Sequence, residues 1–138
     1  MKIFHNISLV TDVKRQAISN LAVVGTDRVE KQIATLGTTE KRALAGIVFY
    51  YKEGFQDVLV SAKLSQQSGF YFLENIPLSV IGNKISEIGL CEKQGWKPSS
   101  VPECFILDKN NKLEISVKSQ IEIPIDSIFC LFDTYRIP

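Results

Sequence analysis

The chain has 138 residues, 45% of them hydrophobic and 22% charged, with 16 Lys and Arg against 15 Asp and Glu and a formal net charge of +1. That length suits one domain, able to bury about two thirds of the surface its unfolded chain exposes, and the composition is far from that of a disordered chain. Near-neutrality disfavours nucleic acid as a partner, because such binding gains affinity by releasing counterions from phosphates and calls for a basic excess.

The N-terminal stretch MKIFHNISLVTDVK holds no uninterrupted apolar run of export-signal length. No stretch of the sequence approaches the roughly 18 apolar residues of a spanning helix, so a cytoplasmic protein without membrane contact is expected. After Thr11 or Asp12 as a cap, Val13, Ala17, Ile18 and Leu21 recur at helical spacing up to Gly25; after Thr26, Val29, Ile33 and Leu36 do so up to Gly37. The spacing predicts two short amphipathic helices, each closed by a glycine.

Residues 32–44, QIATLGTTEKRAL, resemble the junction of helix-turn-helix proteins, with Ile33, Ala34, Leu36 and Gly37 ahead of a polar TTEKR. One residue is missing between Ala34 and Leu36. That deletion turns the following side chain by about 100° on a helix, away from the position that packs the two helices together. Glu40 also offsets Lys41 and Arg42, and the supposed recognition helix runs into IVFYY, which must be buried. The stretch therefore reads as two capped helices meeting at a glycine, with DNA binding through residues 26–44 the least favoured function.

From Ala43 the texture becomes that of a sheet. ALAGIVFYY predicts a strand from near Gly46, KEGFQ a hairpin loop, and DVLVSAKL (57–64) its partner strand. QQSG turns the chain into FYFLE, and IPLSVI (76–81) adds a further strand. Gly82-Asn83 suits either a tight turn or the cap of a helix KISEIGLCEKQ (84–94) closed by Gly95, the helix being preferred. ECFILDKNNKLEISV (103–117) predicts a hairpin about DKNNK, whose Asp and Asn tolerate turn dihedrals. IEIPIDSIFCLF supplies a last strand, with Pro124 at an edge or bulge. The fold expected is α+β in a single domain, 1–138: helical over 11–42, sheet-rich over 46–138, with N-terminal amphipathic helices packed on a mainly antiparallel sheet of about five to six strands.

Within that region SVPECFILDKNNKL resembles the segment of thioredoxin-like proteins in which a cis-proline precedes a strand and an acidic turn leads to the next. The resemblance covers about 14 residues and implies that Pro102 is that proline and Phe105 to Leu113 the hairpin. The redox motif of that family is absent from the chain, since its nucleophilic thiol needs a helix N-terminus and a resolving partner.

The residues that carry chemistry are few. Cys91, Cys104 and Cys130 are odd in number, form no C-x-x-C pair and sit among apolar neighbours, as buried thiols of a reducing compartment do. His5 is the single histidine, so no metal site can be built from several histidines, and any Ser-His or Cys-His catalysis would have to use it. Asp126 and Asp133 bracket an apolar strand, and Glu87 and Glu92 form no tight pair. No glycine pattern cradles phosphate. No cofactor, metal or catalytic set is expected.

Phe49, Tyr50, Tyr51, Phe70, Tyr71 and Phe72 fall on predicted strands, so alternate rings must face opposite sides. Trp96 lies in a predicted loop, QGWKPSS. Exposed aromatic rings favour recognition of proteins and ligands, which makes Trp96, Tyr71 and Tyr51 the candidate binding residues. The function expected is that of a non-enzymatic binding or accessory protein that recognises another protein through an aromatic sheet face or loop. The alternative is a small α+β protein or enzyme with a pocket for a small apolar ligand. A homodimer through an edge strand is compatible with either.

Overall fold

A computed structural model describes residues 3–4, 13–18, 29–34, 41–66, 71–86, 92–98, 101–102, 106–124 and 126–136. Its strands are β1 (Ile3–Phe4), β2 (Val13–Ile18), β3 (Val29–Ala34), β4 (Arg42–Tyr51), β5 (Leu59–Leu64), β6 (Tyr71–Pro77), β7 (Gly82–Lys84), β8 (Val101–Pro102), β9 (Ile106–Leu107), β10 (Leu113–Lys118) and β11 (Ile128–Arg136). One four-stranded sheet has the order β3-β10-β5-β6, and a five-stranded sheet the order β2-β11-β4-β7, with β9 also on β4; β1 and β8 pair separately. These pairs are antiparallel apart from the parallel β4–β7.

β4 explains why RALAGIVFYY is apolar throughout. All ten of its residues are buried, as happens when both faces and both edges of a strand are covered. β11 lies along one edge. The other edge is shared by β9 at Arg42 and Ala43, by Trp96 opposite Ile47, and by β7 at Phe49 to Tyr51. A bulge lies where Asp133 opposite Gly46 gives way to Thr134 opposite Leu44. The extra residue switches the inward set from Ile47, Phe49 and Tyr51 to Leu44 and Arg42.

The two sheets share one core. Ile128, Cys130 and Phe132 of β11 join the inward residues of β4, and Val60, Ala62 and Leu64 of β5 lie opposite Val117, Ile115 and Leu113 of β10. Each fully buried Leu, Ile or Phe there contributes about 1.5–3 kcal/mol of transfer free energy. Arg42 is buried on this side as well, where its Nε donates to Thr134 Oγ1 at 2.8 Å.

Several expectations from the sequence are overturned. Residues 13–18 and 29–34, expected within amphipathic helices, are strands paired in register to β11 and β10. The helix found among the described residues, α1 (Leu78–Ile81), is a single turn that buries Leu78 and Ile81. The α+β layout of helices on a sheet is therefore replaced by two β-sheets on a common core. The physical reason is that residues four apart lie on one face of a helix and equally on one face of a strand, so Val13 with Ala17 and Val29 with Ile33 fit both. The helix-turn-helix stretch is corrected for the same reason. Ile33 and Ala34 belong to β3 and Arg42 to β4, while 35–40 lie outside the described residues.

Both expected hairpins at KEGFQ and DKNNK are instead connections between the sheets. β4 and β9 lie in the five-stranded sheet, β5 and β10 in the four-stranded one. The turns themselves are real. Asp108 Oδ1 accepts from the backbone N–H of Asn110 and Asn111, both at 2.8 Å, and Asn111 Nδ2 donates to Ile106 O. Gly54, at φ +100°, makes the left-handed step in the other connection. The strands expected on either side of QQSG are present as β5 and β6, and they pair antiparallel. IPLSVI, expected as a strand, ends β6 and forms α1.

The segment expected as a helix closed by Gly95 begins instead with β7. Residues 87–91 lie outside those described, and 92–98 run beside β4. A Cβ on Gly95 would stand 2.8 Å from Ile47 O, so the glycine is there for close approach and not for a helix cap. The thioredoxin-like layout is corrected too: Pro102 pairs with Ile3, β9 pairs with β4, and no cis peptide occurs among the described residues.

Candidate functional site

Strand alternation leaves the outer face of the four-stranded sheet to Leu59, Ser61 and Lys63 of β5 and to Glu114, Ser116 and Lys118 of β10. The register sets Ser61 opposite Ser116, Lys63 opposite Glu114 and Leu59 opposite Lys118. Tyr71 of β6 pairs with Lys63, is 37% exposed, and has the Lys63 Nζ 5.3 Å from its ring centroid, within the range of a cation–π contact.

Beside Tyr71 a shallow depression of about 200 Å³ is floored by Ser61 and Ser116 and flanked by Glu74, Asn75 and Lys118. Its wall is shaped by Asn75, whose φ of 50° is left-handed, a conformation that Asn adopts more readily than most residues. Ser61 Oγ fixes it by accepting the Asn75 backbone N–H at 2.9 Å.

A larger cleft of about 430 Å³ opens between residues 54–59 and 118–121. Ser119 Oγ accepts the N–H of Ile121 and donates to its carbonyl at 2.7 Å, closing a tight turn that leaves Ile121 51% exposed. Lys118 lines both depressions. Between the Tyr71–Lys63 level and the Leu59–Lys118 level lie four residues of strand, about 13 Å. The two hollows thus adjoin along the strand direction, aromatic at one end, polar in the middle and apolar at the other.

No protein-family model matches the chain, and no curated protein or solved structure is significantly similar to it.

The three aromatic residues singled out from the sequence do not form one surface. Tyr51 is buried, 7% exposed, on the core side of β4. Trp96 exchanges both backbone hydrogen bonds with Ile47 at 2.9 Å, so its ring lies on the core side and packs on Phe72 with centroids 4.6 Å apart. Tyr71 alone of the three stands in the outer groove. The polar groove residues Ser61, Asn75, Ser116 and Lys118 were not singled out from the sequence. The signal that could have found them is the alternation of Ser61, Lys63, Glu114, Ser116 and Lys118 with apolar residues, which marks a solvated face.

On the outer face of the five-stranded sheet, Arg15 gathers two carboxylates. Its Nε and Nη2 donate to Asp133 at 2.7 and 2.9 Å, and its Nη1 and Nη2 donate to Glu92 at 2.8 and 3.2 Å. Tyr50 Oη donates to the same Glu92 at 3.3 Å. The Arg15 hydrogen bonds hold the Glu92 carboxyl below its ordinary range. A general acid needs the opposite shift, so this cluster is a tether for the 92–98 segment. Asp126, which brackets the apolar run of β11 opposite Asp133, is exposed on a turn at φ 68°.

Burial holds the Cys130 thiol well above its ordinary range, which leaves it a core residue without thiolate reactivity. His5, Cys91, Cys104 and Glu87 lie outside the described residues. Among the described residues no three His, Cys, Asp or Glu side chains are grouped to hold a metal ion, and no helix is long and apolar enough to cross a membrane.

Proposed function

We propose that the protein is a non-enzymatic binding protein that recognises another protein through the outer face of its four-stranded sheet. The observation that carries this reading is the exposed Tyr71 at the head of two adjoining hollows that share Lys118. An aromatic ring with a polar tip, surrounded by side chains of mixed polarity, is what protein-recognition surfaces use. An elongated groove fits a polypeptide better than a compact metabolite.

The test is site-specific photocrosslinking in cells that make the protein. A crosslinker at Ser116 is expected to trap one defined polypeptide, and Tyr71→Ala to abolish the adduct without loss of fold. A control crosslinker at Ala17, exposed on the other sheet, is expected to trap nothing. Adducts that survive Tyr71→Ala would overturn the reading.

A second reading, binding of a small apolar ligand, is favoured by the size of the cleft at 430 Å³, inside the range of small-molecule sites. Native mass spectrometry of protein recovered from its own cells decides between them. An added mass of a few hundred daltons supports the small ligand, and a second polypeptide supports the protein partner.

A further inference from the structure

We infer that the segment bound by this groove is an extended acidic peptide, with an Asp or Glu side chain seated on Lys118 and an aliphatic side chain beside it in the cleft at Ile121. The inference rests on the reading that the outer sheet face binds protein, and it names the chemistry of the partner.

Backbone geometry decides how a chain could lie there. β6 is the edge strand on the Tyr71 side of this sheet, β3 being the other, but its pairing with β5 is twice irregular, Asn75 is left-handed within it and Pro77 ends it. Bulges and proline obstruct regular addition of another strand. An incoming segment is therefore held across the face by its side chains. About four extended residues bridge the distance from Tyr71 to Lys118.

Charge decides what the central side chain is. The Lys118 ammonium lies within ion-pair distance of no carboxylate among the described residues, and the half-buried Ser116 hydroxyl beside it makes no hydrogen bond among them. Lys63, at the Tyr71 end of the same face, sits over the Tyr71 ring. Of the described acidic groups on this face, Glu114 is buried and already engaged. Glu74 stands at the Tyr71 end and Asp57 at the cleft end, both exposed. A carboxylate is therefore favoured in the middle, where a cation and a hydroxyl donor await it, over the Asp57 end, which repels it, and the Tyr71 end, where Glu74 offsets Lys63. Val58, Leu59 and Ile121 give the adjoining cleft its apolar wall.

The test is selection of phage-displayed random octapeptides on the full chain, followed by polarisation binding of the winners to wild type, Lys118→Glu and Tyr71→Ala. Both substituted side chains are exposed, and Trp96 emission monitors the fold. Selected sequences are expected to carry one Asp or Glu next to an aliphatic residue and to lose about fivefold in affinity on Lys118→Glu, the upper end of a surface ion pair at about 1 kcal/mol. Selection on Lys118→Glu is expected to favour Lys or Arg at the same place. Winners that need Tyr71 but show no acidic preference and ignore Lys118→Glu would overturn the acidic assignment and leave the protein-binding reading standing. If no selected sequence depends on Tyr71, both are overturned.

Discussion

Phe72 of β6 and Trp96 of the 92–98 segment pack with ring centroids 4.6 Å apart and planes tilted by 40°. Trp96 is paired to β4, so this contact joins the edge of the four-stranded sheet to the five-stranded one. Trp96→Ala removes a partly buried indole from that junction and is expected to cost about 2–4 kcal/mol. Urea denaturation followed by circular dichroism measures it; a loss below about 1 kcal/mol would mean that the ring is peripheral.

Asn83 is the polar counterpart of that contact. Its buried side chain donates to Phe49 O and Gln94 O and accepts from the N–H of Lys93 and Gln94 at 2.8 and 3.0 Å. Asn83→Leu strands the buried carbonyl of Phe49 and unpairs three part-buried backbone groups of Lys93 and Gln94, and is expected to cost about 2–4 kcal/mol. Asn83→Asp, which sets a carboxylate against two carbonyls, is expected to be at least as damaging at pH 7 and to recover partly in acid, when a protonated Asp can donate.

The Arg15–Glu92 pair predicts a pH-dependent difference. The folded pKa of Glu92 is depressed, first by the Arg15 hydrogen bonds, so its contribution is complete above the unfolded value and is lost as pH falls through the folded one. With the two side chains 40% and 37% exposed, solvent screening limits the effect to about 0.5–1 kcal/mol. Glu92→Gln is therefore expected to be slightly less stable than wild type at pH 7, with the gap starting to close as the pH falls through the ordinary carboxyl range near about 4 and vanishing only below it, past the depressed folded value. A gap that is constant with pH would assign the loss to packing.

The tyrosines should separate stability from recognition. Tyr51→Ala empties part of the core and is expected to cost about 3–5 kcal/mol. Tyr71→Ala, on the exposed face, is expected to stay within about 1 kcal/mol of wild type while losing the partner. If Tyr71→Ala unfolds the chain, the ring is a structural element and its place in the groove carries no recognition.

Cys130 is enclosed by the core. In a Cys91→Ser, Cys104→Ser background it is expected to resist a thiol reagent under native conditions and to react at once in denaturant. Native labelling faster than global unfolding would show that β11 opens locally.

Part of this was legible in the sequence. The apolar run of β4, the alternation in β5 and β10, the turn chemistry of Asp108 to Asn111 and the strands on either side of QQSG follow from local patterns, because burial on one or both faces writes itself into strand composition. The pattern around Val13 and Val29 did not discriminate, since a spacing of four satisfies helix and strand alike.

Only the tertiary structure decided which strands pair. The turns at Gly54 and at Asp108 say that the chain reverses, and nothing local says that it crosses to a second sheet as it does so. That choice is made by burying Phe49, Leu64, Ile115 and Phe132 against one another, strands drawn from distant parts of the chain. The same choice sends Tyr51 and Trp96 inward and leaves Tyr71 outside. Local sequence determined that aromatic rings would alternate between faces, and long-range packing determined which face would meet the solvent.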